Sequence, residues 1–288
     1  MATIVGRVGV RIEADGLLMT YGAVTAVDGV SFTVEPGEFF GLLGPNGAGK
    51  TTTLEMIEGL RKPQAGSVTI DGQEPWRRDP SLQRRMGVQL QSSAFFERLT
   101  AREQLATFGS LYGVPKARAG ELLEQFGLVD QADIRTEDLS GGQKQRLSIA
   151  CALVHEPDVV FLDEPTAALD PQARRNLWDL LRSLNDSGRT VVLTTHYMDE
   201  AEVLCDRVGI MDHGRILELD TPSALVRGLN APVRITVMTD GVENTIETRE
   251  PARVLADLAA RDALDGLSVK GASLEDVFLE LTGREYRA

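Results

Sequence analysis

The chain carries a glycine-rich stretch whose residue types suit the binding of a phosphate chain. It reads GPNGAGKT, from Gly44 to Thr51, and fits the pattern G-x-x-x-x-G-K-[ST]. Its glycines let the backbone wrap around phosphates, the ammonium of Lys50 can reach terminal phosphates, and the Thr51 hydroxyl can ligate Mg²⁺. An apolar run precedes it and a helical pattern follows, as this pattern requires. The stretch predicts a nucleoside-triphosphate site and leaves open a kinase, an ATPase or a GTPase.

Two acids and a histidine come directly after apolar, β-branched runs. Asp163 and Glu164 follow VVFL, and His196 follows TVVLTT. Ligands of open α/β sheets bind at the carboxyl edge of the strands, so all three side chains are predicted there. Because side chains alternate along a strand, the acids can divide two tasks: Asp163 holding Mg²⁺ through water, and Glu164 accepting the proton of an attacking water. An imidazole there can bond a γ-phosphate and orient water.

These residues also have structural interpretations that the pattern leaves open. The two acids can cap the helix that follows them, and a lone histidine is more often structural than functional. His155 and His213 lie beside Pro157 and Gly214 in turn-like sequence, and no role is assigned to them.

A second stretch, LSGGQKQR at residues 139–146, also has the composition of an anion site. A hydroxyl, two glycines and an amide stand at the predicted start of a helix, where unpaired backbone N–H groups point outward. The chain thus has two candidate phosphate-binding stretches about ninety residues apart.

The elements that position these residues alternate between strands and helices. Residues 8–40 read as short strands with turns at Asp28-Gly29 and Pro36-Gly37, and GSVTIDG reads as another strand. PDVVFLDEP and RTVVLTTH are apolar runs separated by a predicted helix, which indicates a parallel sheet buried on both faces. DRVGIMDHGRILELD is predicted to be a final hairpin of that core.

The pattern predicts two domains. The first spans 1–221 and includes a helical subdomain at about 95–153, where apolar residues recur every three or four positions. The second, 222–288, is predicted as a small α/β appendage with an alternating strand, a turn at Asp240-Gly241 and two helical stretches.

The overall charge argues against nucleic acid as a partner. Forty-three acidic residues against thirty basic ones leave a formal charge of −13, whereas a nucleic-acid binder usually carries a basic face. No uncharged apolar stretch approaches the roughly 18 residues that span a bilayer, and the N-terminus lacks a signal peptide's apolar region. Cys151 and Cys205 suggest no disulfide framework. A cytoplasmic protein is expected, whose membrane role depends on a partner.

Taken together, these motifs resemble the nucleotide-binding subunit of ATP-binding-cassette (ABC) transporters. The resemblance covers about residues 9–220, and its markers appear in family order: Tyr21, GPNGAGKT, LQSS, LSGGQKQR, VVFLDEP, AALD and TTH. It implies a P-loop NTPase fold, with a RecA-like α/β core, an antiparallel β subdomain and a helical insertion. It also implies ATP and Mg²⁺ as cofactors and ATP hydrolysis as the reaction.

The resemblance further implies that the second phosphate-binding stretch serves another copy of the chain. In this family two subunits pack head to tail, and the LSGGQ of each closes on the γ-phosphate held by the other's glycine loop. Ser140, Gly141, Gly142 and Gln143 would therefore act in trans, through a hydroxyl, backbone N–H groups and a helix N-terminus.

The remaining site residues are carried over from the family's motifs. Glu164, His196 and Gln91 are the implied catalytic residues, and Thr51, Gln91 and Asp163 the implied Mg²⁺ ligands. Tyr21 matches the aromatic that stacks on adenine, with an ordinary strand aromatic as the alternative, and Gln89 shares a face with Gln91 if the strand continues. The implied nucleotide-binding set is Tyr21, Gly44, Pro45, Asn46, Gly47, Ala48, Gly49, Lys50, Thr51, Thr52, Ser140, Gly141, Gly142, Gln143 and Asp170.

The resemblance also implies a particular kind of transporter. A single phosphate loop without a membrane segment implies a separate transmembrane permease subunit and a peripheral place on the cytoplasmic face of the membrane. The C-terminal SLEDVFLELTGRE resembles the tail of drug- and antibiotic-resistance (daunorubicin-type) exporters of drugs, antibiotics or lipid-like molecules; there Ser273 and Asp276 have capping-box spacing. The alternative is a soluble cassette ATPase acting on ribosomes, DNA or cofactor assembly.

Overall fold

The computed structural model describes residues 9–89, 95–167, 169–229, 231–239, 242–261 and 263–283. Gln91 and the turn predicted at Asp240-Gly241 lie outside the described residues. The chain divides into two compact units, Met1–Leu219 and Asp220–Ala288.

The strands of the first unit belong to two sheets. They are β1 (Ile12–Tyr21), β2 (Val24–Val34), β3 (Phe39–Leu43), β4 (Ala65–Ile70), β5 (Met86–Val88), β6 (Val159–Asp163), β7 (Thr190–Thr195), β8 (Arg207–Asp212) and β9 (Arg215–Asp220). Its helices are α1 (Lys50–Ile57), α2 (Pro80–Gln83), α3 (Ala101–Leu111), α4 (Ala117–Gln125), α5 (Gly141–Ala152), α6 (Pro171–Asp186) and α7 (Met198–Leu204). Short 3₁₀ turns occupy Pro75–Arg77, Val129–Gln131 and Thr136–Asp138.

The larger sheet positions the predicted chemistry at one edge. Its strand order is β5-β6-β7-β3-β8-β9, and β3 runs parallel to both β7 and β8 while β6 runs parallel to β5 and β7. Every residue of β3, β6 and β7 is buried, as the continuous apolar runs predict. Because these strands are parallel, the loops after Leu43, Asp163 and Thr195 meet at their common carboxyl edge.

The smaller sheet of the first unit is antiparallel, with the order β2-β1-β4. Its first hairpin closes at Gly22-Ala23, between Tyr21 and its partner Val24. The turn predicted at Asp28-Gly29 is wrong, because both residues lie inside β2. Gly29 has φ 72° at an irregularity of the β1–β2 pairing, where a bulge uses the glycine without ending the strand. The predicted turn at Pro36-Gly37 is confirmed by the hydrogen bond from the Glu38 N–H to the Glu35 carbonyl, 3.0 Å.

Helices α3 to α5 come between β5 and β6 along the chain. Helices α3, α4 and α5 pack against one another through buried side chains such as Leu105, Leu122 and Leu147. Helix α5 begins at the LSGGQ stretch, so this layer carries the second candidate phosphate-binding stretch. Helix α3 begins with a capping box between Thr100 and Glu103, which satisfies backbone N–H groups of its first turn.

The second unit is a small α/β arrangement. It contains β10 (Val233–Thr239), β11 (Val242–Thr248) and β12 (Ser268–Lys270) in the order β11-β10-β12, with α8 (Pro222–Gly228), α9 (Pro251–Ala260) and α10 (Leu274–Thr282). The capping box predicted for Ser273 and Asp276 is confirmed at the start of α10. Val277 and Phe278 are buried, whereas Leu281 is 36% exposed.

Helix α1 ends at an unusual carboxyl group. Glu58 is only 9% exposed, and its Oε1 has no hydrogen-bond partner in the part of the chain that the structure describes. Burial raises the pKa of this carboxyl from its ordinary value of 4.5 to about 9, assisted by the negative charges of Asp163 and Glu55. The folded chain therefore keeps Glu58 protonated at neutral pH, while the unfolded chain ionises it.

This difference predicts a pH-dependent stability. The folded state binds more protons than the unfolded state between pH 4.5 and about 9, so Glu58 costs stability progressively as the pH rises through that window. Glu58→Gln removes this titration, so it should raise the free energy of unfolding above that of wild type. The increase should be larger at pH 8 than at pH 5, by up to about 4 kcal/mol. Urea unfolding at both pH values measures the difference, with the exposed Glu124→Gln as control. An equal effect of Glu58→Gln at both pH values would contradict the shifted pKa.

Candidate nucleotide-binding and catalytic site

A cavity of about 360 Å³ lies at the carboxyl edge of the larger sheet. The end of β1, the glycine-rich loop, the first turn of α1 and the loop after β6 all contribute to it. Its lining consists of Tyr21, Ala26, Asn46, Gly47, Gly49, Lys50, Thr51, Thr52 and Glu164. The site combines aromatic surface, backbone N–H groups, a cation, hydroxyls and a carboxylate.

The glycine-rich loop has glycines where no larger residue can stand. A Cβ on Gly44 would lie 2.2 Å from the Met211 carbonyl oxygen. Gly49 has φ 102°, and a Cβ there would lie 2.3 Å from the Ala26 carbonyl oxygen. The Ala48 carbonyl accepts a hydrogen bond from the Gly214 N–H at 2.9 Å, which ties the loop to the β8–β9 turn. The loop is thereby held against its neighbours, and α1 presents its N-terminus to the cavity.

Lys50 is held by three oxygen partners. Its ammonium donates to the carbonyls of Gly44 at 2.8 Å and Pro45 at 3.1 Å, and lies 3.4 Å from the Glu164 carboxylate. Burial lowers the pKa of Lys50, and the negative charges of Glu164 and Asp163 oppose that effect. The side chain is 4% exposed, so its charge acts at low effective dielectric.

Asp163 and Thr51 come together beside the lysine. The Thr51 hydroxyl donates to Asp163 Oδ1 at 3.3 Å, and the Thr194 hydroxyl donates to the same oxygen. Burial raises the pKa of Asp163, while the bonds from Thr194 and Thr51 lower it. A hydroxyl and a carboxylate in contact are the hard oxygen donors that Mg²⁺ accepts, and Mg²⁺ takes its other ligands from water and phosphate. The residues present therefore suit the implied Mg²⁺.

Glu164 lies in a turn with an uncommon backbone conformation. Its φ is 46°, a left-handed conformation that non-glycine residues seldom adopt. Its N–H donates to the carbonyl and the hydroxyl of Thr194, at 3.2 and 3.1 Å, and these bonds hold the turn. The turn places one carboxylate oxygen 3.4 Å from Lys50 Nζ and the other 3.2 Å from His196 Nδ1. A carboxylate, a cation and an imidazole thus meet at one point.

Tyr21 is the last residue of β1, and its ring lines the cavity while 43% exposed. An exposed aromatic side chain at the wall of a site suits stacking against a planar ligand.

The LSGGQ stretch is built differently from the glycine-rich loop and lies apart from the cavity lining. Ser140 caps α5: its hydroxyl accepts from the Gln143 N–H at 3.3 Å, and its N–H donates to Gln143 Oε1 at 2.8 Å. Ser140 and Gly141 are exposed, while Gly142 and Gln143 are half-buried. Asp170 similarly caps α6, and the hydrogen bond from the Ala173 N–H is the main cause of its lowered pKa. Within one chain, the structure does not bring these residues to the cavity.

Two polar residues support the site and were not singled out from the sequence. Gln145 donates to the carbonyls of Pro165 at 2.8 Å and Glu164 at 3.4 Å, which links α5 to the loop after β6. Thr194 contacts both Asp163 and Glu164. The position of Thr194, two residues before His196 on a buried strand, was the available signal. Gln145 belongs to the LSGGQKQR stretch, but that stretch does not indicate its contact with the loop after β6.

Comparisons with known proteins show the family of the chain. The ABC transporter family profile matches residues 27–167. The chain is 43% identical to the Nod factor export ATP-binding protein I of Paraburkholderia xenovorans, over 95% of this chain and 97% of that protein. It is 37% identical to the daunorubicin/doxorubicin resistance ATP-binding protein DrrA of Streptomyces peucetius, over 94% and 92% of the two chains.

Solved structures give the same result. An ATP-binding subunit of an ABC transporter matches with a TM-score of 0.73 at 28% identity, covering 94% of this chain and 99% of that one. The ATP-binding cassette MJ0796, a dimer in a post-hydrolysis state with ADP and Pi, matches with a TM-score of 0.68 at 30% identity, covering 73% and 98%. The chain belongs to the ABC transporter family, as one of its ATP-binding and ATP-hydrolysing subunits.

Proposed function

We propose that this chain hydrolyses ATP to energise export of a drug, antibiotic or lipid-like molecule through a separate transmembrane permease subunit. The observation that carries the ATPase role is the meeting of Lys50, Glu164 and His196 beside the glycine-rich loop. The direction and the class of cargo are supported by the relatives, whose names refer to Nod factor export and to daunorubicin/doxorubicin resistance.

Each residue of the site has one task in this proposal. Loop N–H groups and the Lys50 ammonium bind the phosphates, and Tyr21 stacks on the adenine. Thr51 and Asp163 hold Mg²⁺, which neutralises phosphate charge when it is bound, and Gln91 is assigned to the same ion from its motif alone. Glu164 accepts the proton of the attacking water. His196, which lies beside the second carboxylate oxygen of Glu164, bonds the γ-phosphate and orients that water.

We infer further that two copies share each ATP. Ser140 and Gly141 are exposed at a helix N-terminus, and neither lines the cavity of its own chain. The Ser140 hydroxyl accepts the capping bond, which leaves its proton available for a phosphate of the partner copy. The dimeric state of the MJ0796 cassette supports this arrangement.

The proposed place of the protein is the cytoplasmic face of the membrane, held there by the permease. Among the residues that the structure describes, no helix is both long enough and apolar enough to cross a bilayer.

A complementation experiment tests the shared site. Ser140→Arg blocks the signature of one chain, and Lys50→Ala disables the loop of another, so each variant alone should be inactive. Equal mixing makes half of the dimers mixed, each with one intact composite site, so about a quarter of wild-type ATPase activity is expected.

The control pairs Ser140→Arg with a chain that carries both substitutions, because no dimer in that mixture has an intact composite site. Activity that recovers there too, or no recovery in a test mixture shown to contain mixed dimers, contradicts sharing.

A further inference from the structure

Tyr21 contacts a positively charged side chain that its proposed role in stacking on adenine does not explain. The guanidinium carbon of Arg61 lies over the ring, 5.2 Å from its centroid. Tyr21 lines the cavity, whereas Arg61 is not among the residues that line it. A separation below about 6 Å is the range in which a guanidinium and an aromatic ring attract.

We propose that Arg61 is a positioning residue for the nucleobase, which holds the Tyr21 ring as a preformed platform on which a purine stacks. The inference rests on the proposed function, because it requires ATP in the cavity with its base on Tyr21. Arg61 acts through Tyr21 and does not touch the nucleotide.

The Tyr21 ring needs such support because of its place in the chain. Tyr21 ends β1, and the next residue, Gly22, has φ 59° in the hairpin turn. An exposed ring at a strand end has several rotamers, and immobilising it during binding costs affinity. The contact with the Arg61 guanidinium restricts the ring before the nucleotide arrives and so lowers that cost.

Arg61 is itself fixed to the helix that begins at the phosphate loop. Its backbone N–H donates to the Glu55 carbonyl at 3.0 Å, and its Nε donates to the Glu55 carboxylate at 2.8 Å. Glu55 lies on α1, whose first residues are Lys50 and Thr51. The same helix, α1, therefore anchors the residues at the base end and at the phosphate end of the cavity.

Gln64, which follows Arg61 in the same loop, holds the backbone of β1 beside Tyr21. Its N–H donates to the Leu18 carbonyl at 2.9 Å, and its side chain accepts from the Thr20 N–H at 2.9 Å and donates to the Thr20 carbonyl at 3.2 Å. The loop after α1 thus positions the Tyr21 backbone through Gln64 and the Tyr21 ring through Arg61. The two residues make separate contacts, and both restrict the position of Tyr21.

The test compares a ligand that has a base with one that lacks it. Calorimetric titration of the full chain with ATP and with inorganic tripolyphosphate measures the two affinities. Arg61→Met should weaken ATP binding about 3- to 10-fold and leave tripolyphosphate binding unchanged, because only the base uses the platform. In steady-state assays KM for ATP should rise while kcat stays within about twofold.

Further variants separate positioning from a general structural effect. Arg61→Lys keeps the charge but loses the planar group that pairs with Glu55, so it should recover part of the ATP affinity. In a Tyr21→Ala background Arg61→Met should have no further effect. Arg102→Met, which removes a surface arginine paired with exposed Asp133, is the matched control and should change neither affinity.

The outcomes are distinct. If Arg61→Met weakens the binding of ATP and of tripolyphosphate equally, or leaves the ATP affinity unchanged, the role of Arg61 is overturned and the proposed function is not affected. Suppose that the wild-type chain binds ATP no more tightly than tripolyphosphate and that Tyr21→Ala has no effect on ATP binding. That result overturns both the base-stacking role of Tyr21 and this inference. A wild-type chain that does not bind ATP overturns the proposed function.

Discussion

Replacing Glu164 with glutamine should reduce steady-state ATP turnover by about 10²–10⁴-fold while ATP binding persists. Glutamine keeps the size of the side chain and an oxygen toward Lys50, but it cannot accept the proton of an attacking water. The substitution also removes a negative charge 3.4 Å from the Lys50 ammonium, where a triphosphate would be repelled by it. ATP affinity should therefore be equal to that of wild type or tighter, and the nucleotide-bound dimer should accumulate.

Two measurements on the same preparation check this result. Steady-state phosphate release gives turnover, and size-exclusion chromatography with and without ATP gives the oligomeric state. Glu124→Gln, an exposed carboxylate on α4, should behave as wild type in both. Near-normal hydrolysis by Glu164→Gln would remove Glu164 as the base.

Replacing Lys50 should give the opposite phenotype, a loss of binding itself. Hydrogen bonds from a charged donor contribute about 1.5–3 kcal/mol each, so losing two of them to phosphate oxygens weakens ATP binding about 10²-fold or more. The charge is buried, at 4% exposure, so solvent does not compensate for its loss. Nucleotide titration of Lys50→Ala measures the effect, and hydrolysis should fall with occupancy.

Controls for the lysine variant address folding. Lys50→Met retains most of the buried volume and should lose ATP binding as Lys50→Ala does, whereas the exposed Lys116→Met should bind normally. Unchanged affinity and activity in both Lys50 variants is incompatible with the assignment of the glycine-rich loop.

The parts of the fold that could be predicted from sequence are those with a local physical cause. Continuous apolar runs at β3, β6 and β7 indicated buried parallel strands, because only a strand covered on both faces tolerates such a run. The capping box of α10 was visible in the spacing of Ser273 and Asp276. The prediction of a turn at Asp28-Gly29 was wrong because it used only the local turn propensity of these residues. The pairing of β1 with β2 overrides that propensity.

Short stretches of sequence were enough to predict the chemistry: a glycine pattern that wraps phosphates, acids and a histidine placed at strand ends, and the family that combines them. These properties are encoded within a few neighbouring residues, because backbone conformation and side-chain alternation are short-range. Which of these groups come into contact depends on the folding of the whole chain. The contact of Glu164 with both Lys50 and His196, the protonated Glu58 and the Arg61 guanidinium on the Tyr21 ring all arise between residues brought together by folding. Burial and charge proximity, which set these interactions, depend on the packing of the whole sheet and are not written in any single stretch of the chain.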